Sequence, residues 1–189
     1  MKYLTSLCFA FLVLPSLSAA QLESPRRTTD WLVNQLIEAE SIEQKNAAIA
    51  LSNFALSAQQ EKRIERSFVF VEGRSSKLAY LYVLAKRTQA PIHVQSFIEI
   101  ASANIEEITQ NDTAWVLPYH PFLEYLAELA YFDDLALAAL LIHINRFDGA
   151  SLELVSTTLK DMNIRQQKRV QRLGESLNLP KELLQRVEK

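Results

Sequence analysis

Apolar residues recur at steps of three and four along almost the whole chain, which is the period of an α-helix. The clearest run is Val94, Phe97, Ile98, Ala101, Ile105 and Ile108, opened by Pro91 at a position suited to a first helical turn. Ile64, Phe68 and Val71 repeat the pattern earlier, behind Ser57 and Gln60, whose spacing is that of a capping box. Gly73 is placed to end that helix. Ser41 and Gln44 form a second such box, ahead of Ile42, Ile49 and Leu56. Aromatic and β-branched residues from Phe68 to Val71 would also suit a strand, but no second run offers it a partner, so helix is the reading.

Taken in order, a linker over 21–29 leads to a helix from Trp31 to Glu38, capped by Thr28, Thr29 or Asp30. The two capping-box helices follow, then one from Ser75 or Ser76 with Leu78, Leu81, Tyr82 and Ala85 on one face. After the Pro91 helix, a loop over 110–120 leads to a helix from Pro121 to about Tyr131. From Asp134 to Phe147 the residues are apolar on every side, with no charge before Arg146, so this helix is expected at the centre, covered by the others. Asp133 or Asp134 caps it, and Asp148-Gly149 turns the chain. Ser151 begins a helix with Leu152, Val155 and Leu159 inward. Asn163 and Gln166 begin another with Val170, Leu173 and Leu177, and Pro180 begins a last short one.

About ten helices and no strands make an all-α fold. Grouped in pairs, they start near Trp31, Ala58, Pro91, Asp134 and Ile164. Stacked antiparallel hairpins of this size resemble the HEAT and armadillo type of α-solenoid, and that resemblance implies a one-dimensional array of helix pairs over residues 31–187. No repeat consensus carries over from pair to pair, so an irregular helical bundle is the alternative.

The N-terminus changes the picture of where this fold works. Lys2, an apolar run from Leu4 to Leu14, Pro15 and then Ser18-Ala19-Ala20 follow the layout of a secretory signal peptide, with cleavage expected after Ala20. The run is about half the ~20 residues of a membrane span, so no integral span is expected once the leader is removed. Cys8, the one cysteine, lies inside that run, and the remaining 169 residues must fold in a periplasmic or secreted setting without a disulfide. Residues 30–189 are expected to form one domain, long enough to bury an adequate core.

Charge is distributed unevenly. Between Thr88 and Asn145 there is no Lys or Arg, while Glu99, Glu106, Glu107, Asp112, Glu124, Glu128, Asp133 and Asp134 all fall there. The flanks are net positive. Nucleic acid, which is bound by clustered cations, is not an expected partner, whereas a basic protein is.

Candidate chemistry concentrates in the same region. The loop and helix start from Ala114 to Leu126 gather Trp115, Tyr119, His120, Phe122 and Tyr125 around Pro118 and Pro121. Aromatics held by prolines supply contact area at low entropic cost, and are recognition material unless they cover the core. Glu106, Glu107 and Glu124 complete the expected binding set. His143 stands between two isoleucines and reads as a buried neutral histidine, and His93 and His120 lack the spacing of a metal motif, so neither metal nor cofactor is expected. Glu106-Glu107 and Asp133-Asp134 are adjacent residues, which diverge by about 100° on a helix and so do not form a ready acid–base dyad. No nucleophile elbow, triad order or phosphate loop is present.

The resulting expectation is a non-enzymatic protein-binding module of the bacterial envelope, such as a periplasmic immunity or inhibitor protein acting against a toxin or envelope hydrolase. A cell-wall hydrolase with a helical Glu as acid and a structural adaptor of an envelope assembly are the alternatives. Export is directly testable: mass spectrometry of the protein recovered from the periplasm should give a chain beginning at Gln21, and intact Met1 in the cytoplasm would overturn the localisation.

Overall fold

The computed structural model describes residues 25–105, 108 and 121–180, and eight α-helices account for nearly all of them, with no strand among the described residues. They are α1 (Pro25–Glu38), α2 (Ser41–Ser52), α3 (Ala58–Phe68), α4 (Arg74–Thr88), α5 (Pro91–Ala103), α6 (Pro121–Ala130), α7 (Asp134–His143) and α8 (Gly149–Ser176). A short 3-10 turn, Ile144–Arg146, extends α7. The all-α expectation is met. The helix expected after Pro180 lies outside the described residues.

Several boundaries follow local chemistry as expected. The Ser57 hydroxyl accepts from the Gln60 backbone while the Gln60 side chain accepts from the Ser57 backbone, so the capping box at α3 forms in full. Pro91 opens α5 and Pro121 opens α6. Asp133 accepts from the backbone N–H groups of Leu135 and Ala136 and caps α7.

Others are decided by tertiary contacts. α1 starts at Pro25, inside the expected linker, and Thr29 and Asp30 lie within it rather than capping it: Gln60 Nε2 donates to Thr29 Oγ1 at 3.0 Å and to Asp30 Oδ1 at 2.6 Å, tying α1 to α3. At α2 the N-cap is Glu40, and Ser41, expected as the cap, is the first helical residue. Gln44 is buried and its Nε2 donates to the Leu36 carbonyl at 2.8 Å, satisfying one of the orphan carbonyls at the end of α1. Gly73 does not terminate α3, which stops at Phe68; with φ −68° it is the N-cap of α4. Gly149, by contrast, has φ +44°, a conformation L side chains rarely adopt, and this turns the chain into α8. The two helices expected after Ser151 are both present within α8, separated where expected by a kink at Gln166, whose φ −136° and ψ 36° interrupt the helix where its side chain donates to the Tyr131 carbonyl.

The core has two fully wrapped helices rather than one. Every residue from Leu78 to Ala85 in α4 is buried, more than two turns with no exposed side, and not only the one face expected. α4 packs most widely on α2 and α5, and less on its chain neighbour α3. In α7 the burial runs from Ala136 to Leu141. It lies against α5, α6 and α8, so α5 joins the two halves of the core. The extensive contacts all join helices no more than two steps apart in chain order, the local pattern of a stacked array, but α4 breaks the hairpin pairing expected of a regular one.

α7 departs from its expected all-round burial at its ends: Leu135 is exposed and Ile142 is 49% exposed. Leu141→Asp and Ile142→Asp should therefore behave differently. At Leu141 an unpaired charge enters a packed interior, costing several kcal/mol, comparable with the ~5–15 kcal/mol stability of a domain, and the protein should be unfolded by circular dichroism. Ile142→Asp, with its side chain half in water, should melt within a few degrees of the parent. A folded Leu141→Asp protein would show that α7 is not the core helix described.

Candidate functional site

Pro121 opens α6 so that Phe122 and Tyr125, three residues apart, share one face. That face turns inward. Phe122 and Tyr125 are buried and meet Tyr82 of α4 and Phe97 of α5 in a four-ring cluster. Ring centroids lie 4.5 Å apart for Tyr82 and Phe122, and 5.0 Å for Phe97 and Tyr125. Tyr82 and Tyr125 meet edge to face at 5.8 Å. Lys86 Nζ stands 5.1 Å from the Tyr125 ring centre and 5.6 Å from that of Tyr82, and 3.7 Å from the Glu128 carboxylate. Of the expected binding aromatics, these two are buried in the joint between α4, α5 and α6. Glu124 lies half-buried on the same helix. Trp115, Tyr119, His120, Glu106 and Glu107 lie outside the described residues.

The cluster also controls ionisation. Burial, then the nearby Glu128 carboxylate, then Tyr82 push the Tyr125 phenol up to about 12. Tyr82 is raised too, chiefly by burial, with the Ser52 hydroxyl at 3.4 Å acting against it.

The cation-poor stretch is not left as a one-signed surface. Basic residues from both flanks fold onto it: Lys86 of α4 reaches Glu128, and Arg169 of α8 reaches Asp134 at 2.6 Å, with Arg172 at 3.6 Å from the same carboxylate. Arg169 Nη1 also donates to the carbonyls of Ala130 and Tyr131, the open C-terminal end of α6. Beside it the Tyr131 hydroxyl donates to Asp161, and that bond, together with Arg165 at 2.8 Å, holds Asp161 below the usual carboxylate range. Asp133 is occupied as a cap, and Glu99 accepts from Gln95 at 3.4 Å.

Two apolar features in water lie elsewhere. The α6–α7 turn, Tyr131-Phe132-Asp133-Asp134, presents Phe132 at 89% exposure, the most exposed large apolar side chain described. The α3–α4 turn presents Val69 at 76% and Phe70 at 83%, beside a groove of about 360 Å³ lined by Phe68, Val71, Leu81 and Ile100 together with Lys77 and Glu99. The sequence held a signal for the second feature: putting Ile64, Phe68 and Val71 inward leaves Val69 and Phe70 on the outer side of the same helical turn. Phe132 had none, since a helix end next to a cap can point either way.

His93 Nδ1 shares a hydrogen bond with Thr88 Oγ1 at 2.9 Å across the α4–α5 turn, and His143 is partly buried at the end of α7. No group of three or more His, Cys, Asp and Glu among the described residues is placed to hold a metal ion. Comparison with protein-family models, with curated proteins and with solved structures finds no match for this chain.

A phenol raised from about 10 to about 12 favours the folded state while it stays neutral. Its contribution is therefore complete below about pH 10 and is lost as pH rises toward 12. Tyr125→Phe, which cannot ionise, should lose less melting temperature than the parent between pH 10 and pH 12 in calorimetry, and equal losses would show that Tyr125 ionises without regard to the fold.

Proposed function

We propose that this chain is an exported, non-enzymatic protein-binding module of the bacterial cell envelope, whose partner is a basic protein. Within that class we read it as a periplasmic immunity or inhibitor protein that neutralises a toxin or envelope hydrolase. The observation that carries the reading is Phe132. It stands almost wholly in water within the stretch that lacks cations, next to Asp133 and Asp134. A large aromatic ring kept in water beside carboxylates is the composition of a recognition anchor, in which the ring supplies buried area and the acids supply steering. Asp134 is already neutralised by Arg169 and Arg172, and Glu128 by Lys86, so the steering charge in this reading comes from Glu124 and from the acids at 106, 107 and 112. The leader-like N-terminus and the absence of any disulfide-forming cysteine pair accord with a fold that stands on its helical core outside the cytoplasm.

The test needs a partner captured from envelope extract and then purified. Phe132→Ala and Trp115→Ala should mainly raise the dissociation rate, each by a factor corresponding to about 2 kcal/mol if the side chain is a hot spot. Charge reversal at Glu106, Glu107 and Glu124 to Lys should mainly slow association and weaken its dependence on salt. Unchanged kinetics in all three variants would place the binding surface elsewhere.

A further inference from the structure

The α3–α4 turn combines two features that rarely occur together without a use. Val69 and Phe70 are 76% and 83% exposed at a projecting turn, held there by the Phe70 and Val71 N–H groups bonding back to Ser67 and Phe68. Around them are Lys62, Arg63 and Arg66 along the outer side of α3, and Arg74 and Lys77 in the first turn of α4. Against these five cations the same segment carries three acids, Glu61, Glu65 and Glu72, and α5 adds Glu99 across the groove.

Lys86, Arg165, Arg169 and Arg172 are engaged by carboxylates, whereas Lys62, Arg66, Arg74 and Lys77 form no ion pair among the described residues; Arg87, Lys160 and Lys168 are unpaired there too, but they do not stand beside an exposed apolar turn such as Val69 and Phe70. Arg74 and Lys77 also sit at the positive end of the α4 dipole, behind a glycine N-cap with no side-chain cap and with no acid in the first turn. Cations there cost stability rather than add it. A local rule broken with no compensating contact in the fold marks a place shaped by something outside the fold.

We infer that the α3–α4 turn docks this protein on an anionic lipid surface, with Val69 and Phe70 entering the interface and Arg66, Arg74 and Lys77 meeting the headgroup charge. An apolar tip ringed by unpaired cations matches a bilayer, which is apolar within and negative at its face. A projecting tip also suits a fluid surface that yields to it, where a protein partner would need a preformed pocket. The attachment is peripheral, and among the described residues no helix is long and apolar enough to cross a membrane. This docking surface is independent of the proposed protein partner, since it uses the opposite sign of charge and different residues.

The experiment is vesicle co-sedimentation with the full chain purified from cells that process it, so that every variant carries the same N-terminus. Vesicles are phosphatidylcholine alone or phosphatidylcholine with phosphatidylglycerol. The parent should bind the mixed vesicles and release as salt rises. Each of Arg66→Gln and Arg74→Gln should weaken binding about fivefold, the effect of one cation near a charged surface. The double variant Val69→Ser/Phe70→Ser should weaken it at least tenfold while keeping the parent's melting temperature, because both side chains are already in water. As a local readout, Phe70→Trp should add a fluorescence component, over that of the parent, that shifts blue on mixed vesicles and is quenched by brominated lipid. Equal binding by parent and variants, a Phe70→Trp signal that stays in water, or equal binding to uncharged vesicles would overturn the proposal. So would a parent that self-associates in solution through Val69 and Phe70 and ignores vesicles, which would make a second copy the occupant.

Discussion

The fold depends on α4 having no outer face. From Leu78 to Ala85 every side chain is covered, so α4 can be stable only when α2, α3 and α5 are all in place around it. Burial of that kind ties distant parts of the chain into one cooperative unit, because removing any one cover exposes apolar surface at about 25 cal/mol for each Å². With no cysteine beyond the leader-like segment, no covalent bond can substitute for it. α7 repeats the arrangement on a smaller scale with Ala136 to Leu141, and α5 serves as cover for both.

The aromatic cluster is the point at which the two halves are joined. Tyr82 brings a ring from the first buried helix, Phe97 from the shared one, and Phe122 and Tyr125 from the helix that leads to the second. Rings suit this task because they fill the wide gaps between helices that cross, and because tilted and edge-on contacts fix their relative orientation. The two phenol oxygens set the limit of the device, since ionisation inside the cluster opposes burial.

Charge is used as a second, weaker fastening and as an outward signal. α8 lays Arg169 and Arg172 over Asp134, and Arg169 also closes the end of α6, so a single guanidinium joins three helices. Lys86 does the same for Glu128 at the aromatic joint. The acidic stretch is thereby partly neutralised from its own flanks, Asp134 beside Phe132 included, while the cations near Phe70 are left without carboxylate partners among the described residues. Two exposed apolar tips, Phe132 and Val69-Phe70, therefore stand in different surroundings, the first beside carboxylates engaged within the fold and the second beside these unpaired cations.

Much of this was legible in the sequence, for reasons that are local. A helix needs only its own period, its cap and its stop, so the all-α fold, the Pro91 and Pro121 helix starts, the Ser57–Gln60 box and the Asp133 cap could all be read from neighbouring residues. The apolar run from Asp134 to Phe147 announced a buried helix in the same way, though the α-helix itself ends at His143. Tertiary structure alone decided which neighbour covers each face, and that is a non-local matter. It placed Phe122 and Tyr125 in the core, where three helices leave a ring-sized gap, instead of on a binding surface. It left half of Ile142 in water, with no described helix covering that side of α7. It drew the Gln44 side chain to an open carbonyl eight residues back, and supplied the Tyr131 carbonyl that accepts the Gln166 side chain at the kink between the two halves of α8. Periodicity says which residues share a face, and only the packed chain says what that face meets.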